Sequence, residues 1–418
     1  MTVIKNFIIH YWQPLIMALL ALAVFCFWQF FYPFIPVERE MSVLFLWTTD
    51  YLMERLAVPG GLAQFVGEGV TQFFLNPVNS AVIYAVFFVA SQQLTSKLIR
   101  QFFPTIKKYY LFVLSLIPPV ILWRVAMLPH VPLTPTIALL LVMAVGCVIM
   151  SISSKKTRLF VLCVLIPVMY WLTGPAAILL VLCSIRWLPL TATLFAVCMV
   201  GSSYITNYPL RQVARGIDYY WSGPKEMGTC EEMECDMLIR QKKWKAILQR
   251  FPSPVSPAVR CATILASYQL GLISYHELMS EIVVPVEAFE SKPSVFCTDD
   301  MHFIVYFGSV SSAFIVSDLA NMLSWCNISQ RAAFEAMEYI PNYNKSTRAL
   351  KRLAETCIIT GQYPLAKKYL SILEHTTFYR RWAQEMLLVV ENPKLIDKYP
   401  FMQNSKKQYE NTEDIFFI

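Results

Sequence analysis

Residues 11–32 read YWQPLIMALLALAVFCFWQFFY and contain no charged side chain. The hydrocarbon core of a bilayer is about 30 Å thick, and an α-helix of roughly 20 apolar residues crosses it. The run is too long for a signal peptide and no small-x-small cleavage site follows it, so we expect it to be retained as an anchor. This stretch predicts an integral membrane protein.

Six more apolar runs follow in the first half of the chain, separated by short polar or proline-containing joints. Run 175–186 is short enough to be a half-span, so the span count is six or seven. We predict an all-α fold in which a polytopic transmembrane helix bundle precedes a soluble α-solenoid. The transmembrane domain is predicted over residues 1–207, with about seven spans near 11–32, 78–96, 109–127, 135–153, 159–173, 175–186 and 188–206.

Composition supports this division. The 418 residues are 56% hydrophobic and 15% charged, which is too apolar for an ordinary soluble enzyme. Up to Asn207 there are 12 Lys and Arg against 5 Asp and Glu, and beyond it 23 of each, so the first half carries the whole net charge of +7. Basic residues in short loops between apolar runs indicate membrane orientation. We therefore expect the lipid bilayer, and no nucleic acid, as a partner.

Loop charge also predicts the topology. Joints rich in Lys and Arg alternate with joints that carry none, and the positive-inside rule places the basic joints in the cytoplasm. Seven spans with the N-terminus inside leave the C-terminal half outside, in the periplasm. If residues 159–186 form one bent element, the C-terminal half is cytoplasmic instead. We favour the periplasmic side.

The segment between the first two spans is neither a plain loop nor a span. Residues 41–56 place apolar side chains at helical spacing, Pro59-Gly60-Gly61 breaks the pattern, and residues 62–75 resume it. We predict interfacial amphipathic helices over residues 41–75.

Three charged residues near the spans are candidate catalytic residues. Glu38 and Glu40 follow the first span directly, and Arg124 lies near the outer end of the third. Multi-span glycosyltransferases that use lipid-linked sugars place an acidic residue in a comparable position, and an arginine can hold a lipid phosphate. A lipid-linked glycan transferase-like enzyme is therefore the alternative function. Solvated carboxylates and an arginine that reaches the headgroups are the plain structural interpretation.

The second half predicts a helical-repeat domain. Residues 350–378 read LKRLAETCIITGQYPLAKKYLSILEHTTF, and tetratricopeptide repeats pair two antiparallel helices in about 34 residues with large and small apolar side chains at fixed offsets. We expect such a domain over residues 227–395, after a linker at 208–226 and before a polar tail at 396–418. The residues expected to pack the repeat are Leu350, Leu353, Ala354, Gly361, Tyr363, Ala366 and Leu370.

Aromatic and basic side chains follow that repeat directly. Tyr379, Arg380, Arg381 and Trp382 are a candidate interaction surface, with a packed capping helix and two solvated arginines as the alternative. Because solenoids usually present a concave face to a partner, we expect a protein partner for this domain.

The sequence contains no Walker loop, no G-x-S-x-G, no H-E-x-x-H and no C-x-x-C motif. Its five histidines are scattered without ligand spacing, so we expect no metal site and no cofactor. The catalytic residues of an enzyme are not apparent, and a non-enzymatic role is favoured.

Five short motifs resemble one family across both halves of the chain. They are E-R-E at 38–40, P-G-G-L-A at 59–63, T-Q-F-F at 71–74, G-Q-Y-P-L-A-K-K-Y-L at 361–370 and F-Y-R-R-W-A at 378–383. The chain resembles a family of uncharacterised multi-span proteins of Bacteroidota, classed as a domain of unknown function. The resemblance implies a bacterial inner-membrane location and no particular activity. The leading hypothesis is an inner-membrane protein that presents a helical-repeat domain for protein–protein interaction in the cell envelope.

Overall fold

The computed structural model describes residues 2–217, 220–221, 223–224, 226–282, 308–340 and 346–411. Within these ranges the regular secondary structure is helical, which confirms the all-α prediction. The chain divides into two compact units. Unit 1 comprises Met1–Glu40 and Thr48–Ser222, and unit 2 comprises Met41–Trp47 and Gly223–Ile418.

Unit 1 is built from apolar helices whose outward side chains, such as Leu19 and Val86, are exposed. A helix that is apolar on all sides suits lipid, because its backbone groups are satisfied internally. Among the described residues, five helical stretches are long and apolar enough to cross a membrane: Trp12–Phe31, Pro77–Phe102, Lys108–Ala126, Lys155–Leu182 and Leu188–Thr206. The helices of this unit are α1 (Thr2–Cys26, continued by a π-helical turn Phe27–Phe31), α2 (Phe34–Met41), α3 (Thr49–Leu56), α4 (Gly61–Thr71), α5 (Pro77–Phe102), α6 (Lys108–Ser115), α7 (Ile117–Ala126), α8 (Thr134–Met150), α9 (Lys155–Thr173), α10 (Ile178–Leu182), α11 (Leu188–Thr206) and α12 (Leu210–Arg215).

The predicted spans 159–173 and 175–186 form one apolar stretch that bends sharply after α9. Gly174 adopts φ 65°, a conformation that favours glycine. Beyond the bend the chain returns along α8, where a Cβ at Gly146 would touch the Sγ of Cys183 at 3.5 Å. The C-terminal ends of α9 and α11 lie side by side, since the Tyr170 hydroxyl is 2.8 Å from the Ser202 Oγ. Residues 174–187 are therefore a short returning element, and the seven-span topology stays a prediction.

The segment after the first span differs from the predicted pair of interfacial helices. Helix α2 ends at Met41, residues 43–47 are not helical, and α3 starts at Thr49 with the Thr48 side chain accepting the backbone N–H of Tyr51 at 3.2 Å. The prediction of a single helix over 41–56 is wrong, because residues 43–47 are not helical and Leu44 packs in a core of unit 2.

Unit 2 consists of short helices in which sequence neighbours pack against each other. Buried Glu232 joins the starts of three of them, because its carboxylate accepts from the Thr229 backbone at 3.0 Å, from Ser256 Oγ at 2.6 Å and from Ser309 Oγ at 3.1 Å. The helices are α13 (Cys230–Arg240), α14 (Trp244–Arg250), α15 (Pro257–Gln269), α16 (Tyr275–Ile282), α17 (Val310–Met322), α18 (Cys326–Glu338), α19 (Thr347–Ile359), α20 (Tyr363–Leu373), α21 (Arg380–Glu391) and α22 (Pro400–Asn411).

Helices α19 and α20 form the pair that the sequence pattern indicated. Gly361 makes the turn between them at φ 76°. The two helices share a hydrophobic cluster, and Tyr363, at the start of α20, is partly buried against it. Leu353 is fully buried, and the remaining expected repeat-packing side chains are buried in that cluster: Leu350, Ala354, Ala366 and Leu370. The assignment of this pair to tetratricopeptide repeats stays a prediction.

The expected linker and tail both contain helix. Helix α12 lies within the linker 208–226. Residues 393–398 form a 3₁₀ turn and α22 follows, with Ile396 and Met402 buried in the same cluster as α19 and α20. The polar tail predicted over 396–418 is therefore a packed helix as far as Asn411, because its few apolar side chains fall on one face.

Candidate functional site

Unit 2 contains a cavity of about 440 Å³ on the side of α19 that faces away from the α19–α20 contact. Ligand pockets in proteins usually measure about 300–1,000 Å³, so its size suits a few side chains of a bound segment. We call it the basic pocket, because five of its lining residues are basic and two are acidic. The charged lining residues are Arg240, Lys242, Arg348, Lys351, Arg352, Asp318 and Glu355.

Helix α19 supplies most of these side chains because its two faces differ. The Ser346 hydroxyl caps its start, accepting the backbone N–H of Ala349 at 3.2 Å. Positions 350, 353, 354 and 357 are apolar and buried, whereas 348, 351, 352 and 355 are charged and lie three or four residues apart. At 3.6 residues per turn, these four charged side chains share one face.

Arg348 forms the floor of the pocket. Its guanidinium donates to both carboxylate oxygens of Asp236 at 2.7 Å each and to Asp318 at 2.8 Å. It also lies 4.4 Å from the ring centre of Phe314 and contacts the sulfur of Met41. A bidentate pair of this kind fixes both position and orientation. These contacts hold the Arg348 side chain in one orientation.

Asp318 links the floor to the wall of the pocket. Its second oxygen accepts from Arg352 at 2.6 Å, and Arg352 also donates to Glu355 at 2.8 Å. Burial alone would raise the pKa of Asp318, but Arg348 and Arg352 outweigh it and hold that pKa well below its usual range. Asp318 is consequently ionised at neutral pH.

Lys351 lies at the aromatic edge of the pocket. Its ammonium is 5.1 Å from the ring centre of Trp382 and 5.9 Å from that of Tyr379, and 3.6 Å from Glu355. Two of the four residues expected to form an interaction surface thus flank a pocket lysine, and Tyr379 itself lines the pocket. The other two point to solvent, with Arg381 paired to Glu385 at 3.2 Å.

The candidate catalytic residues of unit 1 do not share one open site. Glu38 and Glu40 are buried in α2, and Arg124 is exposed near the end of α7. The buried arginine is Arg39, which donates to the carbonyl oxygens of Ala126 at 3.1 Å and Leu128 at 3.0 Å and to the hydroxyl of Tyr84. Arg39 therefore caps the carbonyl end of α7, where a positive charge is favourable.

Sequence reasoning missed the pocket because four separate helices, α13, α17, α19 and α22, build it. Asp236 and Asp318 lie 112 and 30 residues from Arg348 in the chain. Two local signals were present: a lone carboxylate in the otherwise uncharged helix VSSAFIVSDLANM at 310–322, and the basic run Arg348 to Arg352 beside an apolar repeat face. Neither signal predicts that the two segments contact each other.

The fold thus defines an all-helical protein with apolar helices of membrane-spanning length and a second helical unit that carries a basic pocket. The chain belongs to a family of unknown function (DUF6057), which matches residues 8–418. No curated protein and no solved structure matches the chain.

Proposed function

We propose that this protein is a bacterial inner-membrane protein whose helical unit binds an acidic segment of a partner protein in the basic pocket. The excess of basic over acidic lining residues carries the proposal. Asp236 and Asp318 pair with Arg348, and Asp318 and Glu355 pair with Arg352. The cations that would meet a ligand are therefore the lysines Lys242 and Lys351. Complementary charge favours an anionic partner.

The pocket also has apolar lining. Met322, Phe401 and Met402 line it together with Tyr379. Methionine and aromatic side chains adapt to varied apolar groups, and they recur at binding surfaces. An extended segment that alternates acidic and apolar residues satisfies both kinds of lining, whereas free phosphate would use the cations alone.

The proposed location of unit 2 is the periplasm. Arg39 contacts the end of α7, and Trp171, near the end of α9, donates its indole N–H to Leu56 O at 2.9 Å, so both ends lie with the segment between the first two spans. The basic joints lie at the opposite ends of these helices. Seven spans with the N-terminus in the cytoplasm leave the second half of the chain on the periplasmic side.

The binding test uses the full chain in lipid nanodiscs and a fluorescent peptide of alternating glutamate and leucine. We expect saturable binding that weakens as salt rises, because exposed charges are screened. Replacing Lys242 and Lys351 together by glutamine should weaken binding about tenfold, on the order of two exposed charge contacts.

The matched control replaces Lys367 and Lys368, two exposed lysines of α20 outside the pocket, by glutamine. It removes the same charge from the same unit and should leave affinity unchanged. Equal losses in both double variants, or equal binding of a peptide with glutamine in place of glutamate, would contradict the proposal. A reporter that is active only in the cytoplasm can be fused after Ile418. Activity of this fusion would contradict the periplasmic location.

A further inference from the structure

Unit 1 also contains a polar cavity, of about 320 Å³, between α1, α5 and α6. Five of its lining residues come from α5: Gln92, Gln93, Ser96, Lys97 and Arg100. Their spacing places them on one face of α5. Polar side chains within a membrane-spanning helix are expensive and usually mark a functional site. We call this feature the α5 groove.

The mouth of the α5 groove is cationic. Lys97 and Arg100 lie in the last two turns of α5, and none of the lining residues is acidic. Both side chains are exposed, and the predicted topology places them at the level of the cytoplasmic headgroups. A phosphate group is the anion that two such cations at a membrane surface most readily attract.

The inner end of the groove requires a hydrogen-bond donor. Gln92 is only 3% exposed, and its Nε2 donates to Ser115 Oγ at 2.9 Å. The Ser115 hydroxyl donates to Phe112 O at 2.8 Å, and this network assigns the amide orientation of Gln92. The Gln92 Oε1 is left buried without a partner among the described residues. An acceptor in this position is satisfied by a ligand that brings a hydroxyl group.

We propose that the α5 groove binds the headgroup of an anionic phospholipid that carries hydroxyl groups, of the phosphatidylglycerol class. The phosphate lies between Lys97 and Arg100, and a headgroup hydroxyl donates to Gln92 Oε1. Gln92 lies five residues before Lys97, about 7 Å along the helix axis, which is comparable to the length of the headgroup. The acyl chains remain in the bilayer beside α1, whose Leu15 and Leu19 are exposed. This site does not depend on the basic pocket of unit 2.

The test measures lipid retention by native mass spectrometry of the full chain, delipidated in a neutral detergent. The added lipids are phosphatidylglycerol, phosphatidic acid and phosphatidylcholine of equal chain length. We expect retention in that order of decreasing affinity, since phosphatidic acid offers phosphate without the headgroup hydroxyls. Replacing Lys97 and Arg100 together by glutamine should lower phosphatidylglycerol affinity at least tenfold, as expected for two charge-assisted hydrogen bonds.

Two further variants keep the outcome interpretable. Replacement of Gln92 by methionine removes the acceptor at similar length and should abolish the preference for phosphatidylglycerol over phosphatidic acid. Replacement of Lys155 and Lys156 by glutamine removes the same charge from another basic joint of unit 1 and should change affinity less than twofold. If Gln92→Met does not fold, the two double variants still decide the question.

Equal retention of all three lipids, or equal losses in both double variants, would overturn the proposal. Soluble glycerophosphoglycerol carries the same phosphodiester and hydroxyl groups without acyl chains. Displacement of the lipid by this compound at equal concentration would overturn the assignment to a lipid and identify a soluble phosphodiester as the ligand.

Discussion

The guanidinium of Arg348 holds both carboxylate oxygens of Asp236 at 2.7 Å, although the two residues are 112 positions apart in the chain. Asp236 is fully buried, and Arg348 is nearly so. The pair ties α19 to α13 and closes the floor of the basic pocket. The charged groups of that pocket therefore have a structural role beside the binding role proposed for them, and variants can separate the two.

Replacing Arg348 by methionine should destabilise unit 2 by about 3–5 kcal/mol, because it leaves Asp236 as a buried charge without its partner. Hydrogen exchange of the full chain should show faster exchange in α13 and α19. Arg381→Met is the control, since Arg381 is 93% exposed and its pair with Glu385 contributes little. Unchanged exchange in α13 would contradict a structural role for the pair.

The stability of unit 2 should depend on Asp318 in a pH-dependent way. Because Arg348 and Arg352 outweigh burial and lower the pKa of Asp318 in the folded protein, its ionised form contributes stability above the unfolded pKa of about 3.9. That contribution is lost as the pH falls through the folded value. We expect Asp318→Asn to unfold at lower temperature than wild type at pH 7, with a gap that stays constant down to about pH 5 and narrows only below about pH 4. A gap that closes between pH 7 and pH 5 would refute this assignment.

Close packing of α19 on α20 should not tolerate a larger residue at Ala366. Ala366 is fully buried in the cluster that contains Leu350 and Ala354. Ala366→Leu should cost about 1–3 kcal/mol through overpacking. The neighbouring Lys367→Leu adds an apolar side chain on the exposed side of the same helix and should cost less than about 0.5 kcal/mol. The thermal unfolding temperatures of the two variants, measured side by side, test this prediction. Equal temperatures would contradict it.

Gly61 should be intolerant of any side chain. A Cβ at this position would lie 1.9 Å from the backbone oxygen of Arg55, so the turn between α3 and α4 would have to open. Gly61→Ala should reduce the yield of monodisperse protein in fluorescence-detected size-exclusion chromatography by several fold. Gly201→Ala, where no atom apart from the neighbouring backbone of the same helix lies within 4 Å of the added carbon, is expected to be neutral in the same unit. Equal yields of both variants would show that the turn is not restrictive.

The features that sequence predicted well depend on near neighbours in the chain. Length and composition predict the apolar helices, and the spacing from Leu350 to Leu370 predicts the α19–α20 pair. The aromatic residues Tyr379 and Trp382 were singled out because they stand next to that pattern, and their role as an interaction surface stays a prediction.

The features that sequence missed depend on distant contacts. Arg348 could not be assigned to Asp236 and Asp318, because nothing local distinguishes a buried ion pair from a solvated charged face. Residues 41–47 carried an amphipathic pattern that an extended segment buried on both sides fits equally well, and tertiary packing decided between them. The reversal of chain direction after Gly174 depends on the backbone conformation of that one residue, and an apolar sequence pattern does not predict it.

The seven residues from Met41 to Trp47 also set an order of events during synthesis. Leu44 belongs to the same core as α19–α22, and the backbone N–H of Trp47 donates to His375 O at 3.0 Å. Ribosomes add about 5–20 residues per second, so this piece of the core emerges on the order of 20–70 s before the helices that enclose it. Unit 2 therefore cannot complete its core until α22 has left the ribosome, after every helix of unit 1.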